Sequence, residues 1–175
     1  MIRSFEGVEP DIHETAYVDP EATVIGDVTI GPKANVWPNV TLRGDDGPIV
    51  VERDANVQDN AVCHEGTTIR EGATIGHSAI VHAAEVKRRA MVGMNAVVLD
   101  DAVVGEESLV GAGSVVTEGT EIPDSTLAAG TPAEVRKEVE DSEWANAGAV
   151  YVDLAKRHAA HDEVLSEDGH VPDVE

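Results

Sequence analysis

Aliphatic residues recur every six positions through most of this chain, and a small or β-branched side chain usually follows four residues later. Neither the 3.6-residue period of an α-helix nor the alternation of a strand produces a period of six. A hexapeptide repeat is typical of a parallel β-helix, a solenoid with three short strands per coil. The repeat positions are Ile12, Val18, Val24, Ile30, Val36, Leu42, Val51, Val57, Cys63, Ile69, Ile75, Val81, Val86, Val92, Val98, Val104, Val110, Val116 and Ile122.

Three repeats make a coil of eighteen residues, so residues eighteen apart stack at the spacing of paired strands, about 4.8 Å. The nineteen repeat positions therefore predict roughly six coils. The register breaks at 43–50 and at 82–85. Extra or missing residues in a solenoid become loops, often on the binding face, so we expect loops at both breaks.

The repeat ends after Ile122, at a segment with several prolines and glycines. From Ser142 to Leu165 the sequence predicts a helix, capped by Asp141 or Ser142, with one face along the solenoid. The predicted organisation is a β-helix domain at 1–135, a C-terminal helix packed on the solenoid at 136–166, and a disordered acidic tail at 167–175.

Composition adds limits on partners. The chain has 175 residues, 3% aromatic residues and a single cysteine, which suits one narrow prism without an intrachain disulfide. With no signal peptide and no apolar stretch long enough for a membrane span, it is predicted to be cytoplasmic without a membrane partner. The net charge of −22 argues against nucleic acid as a ligand and predicts adaptation to the high-salt cytoplasm of a halophile.

Three histidines have a spacing that restricts where they lie. His64 and His82 are eighteen apart and each follows an inward position, so they are expected to stack on the outside of one corner. His77 is five residues before His82, and five extended residues span up to about 16 Å. Zinc ligands lie about 2 Å from the metal, so His77 is expected to meet the other two only on a neighbouring subunit. The spacing predicts a metal site shared within a cyclic trimer.

Four segments carry a resemblance to a known family. They are NVWPNVTLRGD at 35–45, NVQDNAVCH at 56–64, IGHSAIVH at 75–82 and VGMNAVVLD at 92–100. From about Ile12 to Pro132 the chain resembles the γ-class carbonic anhydrases. The resemblance implies left-handed coils, and hence an all-β left-handed parallel β-helix with a C-terminal α-helix. It also implies a homotrimer in which His64 and His82 of one subunit and His77 of the next bind the metal.

The resemblance further implies a reaction. Three neutral imidazoles would hold Zn²⁺, or Fe²⁺ or Co²⁺, and lower the pKa of a bound water to about 7. The resulting hydroxide would attack CO2 to give bicarbonate, which is the reversible reaction of a carbonate dehydratase, a lyase. By the same resemblance Gln58 orients the hydroxide, Asn56 supplies a second amide, and Arg43, Asp45 and Asp59 form ion pairs across the subunit interface.

Two further residues are assigned by the resemblance: Asp46 as a candidate proton shuttle, and Tyr151 on the helix as a residue that approaches the metal pocket. Glu65, beside His64 in the sequence, is another candidate proton shuttle. Only twelve residues separate His64 from His77, where well-studied active members carry a long acidic loop, so the chain matches a short-loop subtype with weak activity.

Two other functions remain open at this point. One is a CoA-dependent acyl- or acetyltransferase, or a thioesterase, of the hexapeptide superfamily. Such enzymes usually use a histidine base without a metal trio and often carry a long protruding loop, which this chain does not match. The other is a non-catalytic metal-binding assembly subunit, which the short loop favours.

Overall fold

The computed structural model describes residues 1–140 and 142–163, which wind into a parallel β-helix followed by one α-helix. In chain order the elements are β1 (Ile2–Arg3), β2 (Asp11–Ile12), β3 (Tyr17–Val18), β4 (Thr23–Ile30), β5 (Asn35–Val36), β6 (Thr41–Val51), β7 (Asn56–Val57), β8 (Val62–His64), β9 (Thr68–Ile69), β10 (Thr74–Ile75), β11 (Ile80–His82), β12 (Glu85–Val86), β13 (Met91–Val92), β14 (Val97–Val98), β15 (Val103–Val104), β16 (Leu109–Val110), β17 (Val115–Val116), β18 (Glu121–Ile122), β19 (Thr126–Gly130), β20 (Ala133–Glu138), a 3-10 helix (Glu143–Asn146) and α1 (Ala147–His161).

The strands stack into three faces of a prism. Face 1 contains β3, β5, β7, β10, β13, β16 and β19. Face 2 contains β1, the first halves of β4 and β6, and then β8, β11, β14 and β17. Face 3 contains β2, the second halves of β4 and β6, and then β9, β12, β15 and β18. Successive coils pair in parallel, and β20 closes the end of face 1 by pairing antiparallel with β19.

The solenoid has about seven turns, where the aliphatic pattern predicts roughly six. The added length comes from both ends. Ile2 pairs with Val24 although it is out of the six-residue register, and β19 pairs with β16 beyond the last repeat position. Ala128 lies six residues after Ile122, the last repeat position. Because the repeat was defined by larger aliphatic residues, it does not include this alanine, and the last coil is not counted.

The repeat positions point into the prism and fill its core. Val24, Leu42, Ile75 and Val104 have no exposed surface, and alanines at the turns are buried between the coils. Burial of this apolar surface is the main driving force that holds the coils together. Cys63 lies in the same core, and burial raises the pKa of its thiol to about 12, which keeps the thiol protonated and unreactive.

The predicted loop at 43–50 is wrong. The segment belongs to β6, which runs for eleven residues from Thr41 to Val51 and turns the corner between faces 2 and 3 without a break. Its backbone pairs with β4, and a register shift between Gly26 and Val28 accommodates the extra residues. The extra residues at 45–48 lie between the paired residues Gly44 and Ile49 and form a bulge against β4, so β6 bends at the corner without ending.

The second register break removes one residue. Val81 pairs with Val98, seventeen residues later, whereas His64 pairs with His82 at the regular eighteen. The inward positions Val81 and Val86 are five positions apart, against six in most repeats. The corner after His82 is therefore tighter than the corner in the next coil.

The helix packs on the first coils. It begins one turn later than the sequence predicts, after the 3-10 helix, and Ser142 makes no side-chain cap. α1 contacts β3, β5 and β7 of face 1. Gly148 is buried there, and a Cβ atom at this position would lie 2.8 Å from the carbonyl oxygens of Asp54 and Gly72. Asp141, the end of the predicted helix and the predicted tail at 167–175 lie outside the described residues.

In the part of the chain that the structure describes, no helix combines the length and apolar character that crossing a bilayer requires.

Candidate functional site

Two histidines stack on the edge where face 2 meets face 3. Arg43, His64 and His82 end the face 2 parts of β6, β8 and β11, and the backbone register places them one above the other. Each follows an inward-facing residue, so each side chain points out of the prism. This stack, with the carboxylates that contact it, is called the histidine-pair edge below.

A chain of short contacts joins four side chains at this edge. The Nε2 atom of His64 lies 3.1 Å from Oδ1 of Asp45, and its Nδ1 atom lies 3.2 Å from Nε2 of His82. The Nδ1 atom of His82 lies 2.7 Å from Oδ1 of Asp100. Each ring is thus held by a carboxylate on one side and faces the other ring on its second side.

The carboxylates decide which ring nitrogens carry protons. An ionised carboxylate only accepts, so His64 donates Nε2–H to Asp45 and His82 donates Nδ1–H to Asp100. Arg43 donates to Nδ1 of His64 at 3.3 Å, in agreement with this tautomer. In the neutral rings, the lone pairs of His64 Nδ1 and His82 Nε2 then point toward each other. The edge therefore presents two acceptor nitrogens that converge, and the one on His64 also accepts from Arg43.

Two acidic residues beside the pair have different roles in the geometry. Burial raises the pKa of Asp45, but hydrogen bonds from His64, from the backbone and from Arg43 outweigh this effect and hold the pKa below its ordinary value. Asp45 also pairs with Arg43 at 2.9 Å. Glu65 places Oε1 3.6 Å from Nε2 of His82 and 4.0 Å from Nδ1 of His64. Asp46 is exposed at the corner of β6.

A cation could be held by part of this set. One ligand atom each from His64, Glu65 and His82 lie within 4.8 Å of one another. His77 is not in this group, which was assembled from the described residues. The donor set within one chain is thus two imidazoles and a carboxylate, and not the three histidines of the predicted metal site.

His77 lies on the opposite edge of face 2, where face 1 ends. Its Nδ1 atom pairs with Oδ2 of Asp59 at 2.9 Å, because Asp59 occupies the same position one coil earlier. Tyr151 of α1 packs edge-on against Trp37 with ring centroids 5.5 Å apart, and burial together with the charge of Asp59 raises the pKa of Tyr151. This group is called the His77 edge below.

The two predicted catalytic amides are buried on face 1. Asn56 donates to the hydroxyl of Thr74 at 2.7 Å, and Gln58 donates to Oδ1 of Asn56 at 3.2 Å. Both amides are nearly inaccessible. Asn56 lies in β7 of face 1, and Gln58 follows it at the corner between faces 1 and 2, the corner that carries His77. Within one chain the structure does not bring them to His64 and His82.

Asp100 is a site residue that the sequence analysis missed. It makes the shortest contact of the histidine-pair edge, to His82. The sequence signal for Asp100 is the register break at 82–85, which removes one residue from the corner of the preceding coil. A missing residue at a corner predicts a loop, and the sequence alone does not show its effect on the neighbouring coil.

The fold and the outward histidine pair define a hexapeptide β-helix protein with a polar site on a coil edge. A hexapeptide transferase family protein from Anaplasma phagocytophilum is 38% identical, with a TM-score of 0.86 over 89% of this chain and 96% of that one. A Bacillus cereus protein provisionally described as an acetyltransferase is 30% identical, with a TM-score of 0.84 over 91% of this chain and 96% of that one. The chain belongs to the hexapeptide transferase family. The predicted fold class, a left-handed parallel β-helix with a C-terminal helix, is confirmed.

A match to curated relatives covers less of the chain. The carnitine operon protein CaiE of Proteus sp. (strain LE138) is 51% identical over 63 residues, which is 36% of this chain and 32% of that protein. The match thus spans about a third of the length of this relative. A scan against protein-family models found no match.

The prediction of a carbonic anhydrase, a CO2-hydrating lyase, is wrong. The two full-length similarities are to a hexapeptide transferase and an acetyltransferase, and they favour the acyltransferase alternative. CO2 and bicarbonate lose their support as partners for the same reason. The physical cause of the error is that outward histidines on stacked coils suit proton transfer as well as metal binding, so their spacing does not distinguish the two reactions.

The prediction of Zn²⁺, Fe²⁺ or Co²⁺ as cofactor is wrong as well. A variant of the N-acyltransferase AntD from Bacillus cereus, solved with coenzyme A and dTDP-4-amino-4,6-dideoxyglucose, has a TM-score of 0.68 and 16% identity over 86% of this chain and 92% of that one. This likeness shows the shared fold. The molecules solved with that AntD variant are coenzyme A and a sugar nucleotide, not a metal.

Proposed function

We propose that this protein is an acyltransferase that moves an acyl group from a coenzyme A thioester to a nucleophilic acceptor, with His64 and His82 together as the general base. The observation that carries the proposal is the 3.2 Å approach of His64 Nδ1 to His82 Nε2, with the opposite side of each ring held by a carboxylate. The family membership and the description of the Bacillus cereus relative as an acetyltransferase support the reaction class.

The proposed reaction needs a base at this position. An acceptor hydroxyl or amine gives its proton to the histidine pair as its oxygen or nitrogen attacks the thioester carbonyl. The C–S bond then breaks, the acyl group stays on the acceptor, and the proton passes from the pair to the leaving thiolate. The incoming proton is held at the histidine pair, where Nδ1 of His64 and Nε2 of His82 lie 3.2 Å apart.

Neighbouring side chains hold the base in place. Asp45 and Arg43 bond to opposite nitrogens of His64 and to each other, so they fix the plane of that ring. Glu65 lies close enough to both rings to stabilise the protonated pair. Asn56 and Gln58 lie away from the pair, where Gln58 donates to Asn56.

Self-association as a homotrimer is part of the proposal. Between its two edges, face 2 presents an outward row of aliphatic side chains from successive coils: Val62, Ile80, Val97 and Val115. Ile80 is 40% exposed, and burying such a row is favourable. Packing face 2 of three copies around an axis brings the His77 edge of one subunit to the histidine-pair edge of the next. His77, already oriented by Asp59, then completes the site.

The test is thiol release from acetyl-CoA in the presence of a panel of amine and alcohol acceptors. We expect His64→Gln and His82→Gln to reduce acyl transfer about 10²- to 10⁴-fold, the usual contribution of a positioned general base. His161→Gln, at the exposed end of α1, is the matched control and should leave the rate unchanged.

The outcomes separate three cases. Acceptor-dependent thiol release that needs both histidines supports the transferase. Thiol release at the same rate without any acceptor would identify a thioesterase instead. A rate that His82→Gln leaves intact, or no release above the uncatalysed rate, would overturn the proposal.

A further inference from the structure

The corner after His82 differs by one residue from the corner of the next coil. In the coil that contains His82, only His82 lies between the paired residue Val81 and the corner residue Ala83. In the next coil, two residues, Leu99 and Asp100, lie between Val98 and the corner residue Asp101. The N–H of Asp101 donates to the carbonyl of Ala83 at 2.9 Å, so these two corner residues match. The coil after His82 therefore contains one residue that has no counterpart in the coil of His82.

The extra residue in the next coil places the carboxylate of Asp100 beside His82. Leu99 continues the outward column from His82, since it directly follows the pair Val81 and Val98. Asp100 comes next, ahead of Asp101, which has a φ of 57° in the left-handed region that turns the corner. From this position Oδ1 of Asp100 reaches Nδ1 of His82 at 2.7 Å. The one-residue difference between the two corners therefore places the carboxylate of Asp100 in contact with His82.

The contact has a chemical consequence. Of the two nitrogens of a neutral imidazole, the one that carries the proton is set by the hydrogen bond that the ring makes. With Asp100 present, His82 keeps its proton on Nδ1 and offers the lone pair of Nε2. Without Asp100, His82 can move its proton to Nε2 and donate it to Nδ1 of His64, 3.2 Å away. The two lone pairs would then no longer converge.

We infer that Asp100 is a positioning residue that fixes the tautomer of His82 and so keeps the histidine pair able to act as a base. Its catalytic consequence rests on the proposed acyltransferase function, whereas the tautomer itself does not. Asp100 is 45% exposed at its side chain, so its replacement leaves the core of the solenoid intact.

The first measurement is the protonated nitrogen of His82 by ¹⁵N NMR of the whole protein, recorded at a series of pH values so that the spectrum of the neutral ring is identified directly. The His82 signals are assigned by their loss in His82→Gln. We expect the proton on Nδ1 in the wild type and in Asp100→Glu, and a shift of the population to Nε2–H in Asp100→Ala and Asp100→Asn. An unchanged tautomer in both Asp100→Ala and Asp100→Asn would overturn the inference.

The second measurement is acyl transfer. Asp100→Asn should lower kcat about 10- to 100-fold with KM nearly constant, a part of the effect expected for a general base, and Asp100→Glu should restore most of it. Asp101→Asn is the matched control, since it changes the adjacent exposed carboxylate and asparagine tolerates a positive φ. Equal loss in Asp101→Asn would show a general charge effect and contradict the assignment. A tautomer shift in a protein without acyl transfer would reject the proposed function alone.

Discussion

The two edges of face 2 each carry a histidine oriented by a carboxylate, but they differ in what one chain completes. At the histidine-pair edge two rings converge, and both are held by carboxylates of the same chain. At the His77 edge a single ring pairs with Asp59 in an undisturbed eighteen-residue register. The irregular register gathers several functional groups at one point, whereas the regular register repeats a single pair. A base can thus be assembled within one subunit, while His77 needs a neighbour to take part.

The strongest test of this comparison mixes two inactive proteins. His64→Ala and His77→Ala trimers each lack one group at every site, so each should have less than about 1% of wild-type acyl transfer. A mixed trimer has one interface in the order that joins intact His64 and His82 to an intact His77. Random mixing in equal amounts makes about three quarters of the trimers mixed, so about a quarter of all sites should recover.

The measurement is acyl transfer after the two variants are refolded together, with mixed trimers verified by native mass spectrometry. The control is each variant refolded alone. No recovery in verified mixed trimers would mean that His77 and the histidine pair do not serve one site.

The second test compares the backbones of the two edges. A Cβ atom at Gly44, on the histidine-pair edge, would clash with the backbone of Asp27, and one at Gly76, before His77, would lie 2.8 Å from the carbonyl oxygen of Val92. We expect Gly44→Ala to destabilise by about 3 kcal/mol, and Gly76→Ala by less, because the backbone must shift. For a chain of this size that is a drop of roughly 6–12 °C in Tm.

Gly66→Ala is the matched control for these variants. It lies on the histidine-pair edge, and a Cβ atom there would meet nothing within 4 Å. Thermal melts should show its Tm within a few degrees of the wild type. A Gly44→Ala protein as stable as Gly66→Ala would contradict the close contact between β4 and β6.

A third test concerns charge. The chain carries a net charge of −22, and the histidine-pair edge gathers more carboxylates than the His77 edge. Because repulsion between carboxylates is screened by salt, Tm and trimer formation should rise from about 0.1 M to about 3 M KCl, where the Debye length falls from about 10 Å to below 3 Å. Equal melts at both salt concentrations would remove the prediction of a halophilic protein.

The smallest effect is the pH dependence of Asp45. Its pKa is lower in the folded protein than its ordinary value, so its contribution to stability is present above the ordinary pKa and is lost as pH falls through the lowered one. Asp45→Asn should therefore be less stable than the wild type at neutral pH, and the two should converge in acid. Asp46→Asn, on the exposed neighbour, should show no such convergence. Urea denaturation at a series of pH values measures the difference.

The sequence predicted the stacking of the coils well because one repeat governs both burial and register. The positions of Val24, Leu42 and Ile75 follow from a period of six, and the stacking of His64 over His82 follows from eighteen. The sequence did not predict that 43–50 would stay within a strand, because pairing with β4 depends on a register shift in the partner.

The chemistry was harder to predict than the coils. The contact between Asp100 and His82 arises from a residue missing in the coil above, which no motif records. Asn56 is buried in β7, which α1 contacts, and the hexapeptide repeat ends before that helix begins. The reaction itself was mistaken because imidazole serves both as metal ligand and as proton acceptor.

The position of α1 also bears on how the molecule comes apart. A solenoid whose coils contact only their neighbours can unravel from either end, one coil at a time. Here α1 returns from the last coils to β3, β5 and β7, where Tyr151 meets Trp37 across more than a hundred residues of chain. Closing so long a loop slows folding, but it also ties a late segment of the chain to the early coils. These coils cannot separate from the solenoid until α1 has been released, so α1 protects that end of the solenoid against fraying.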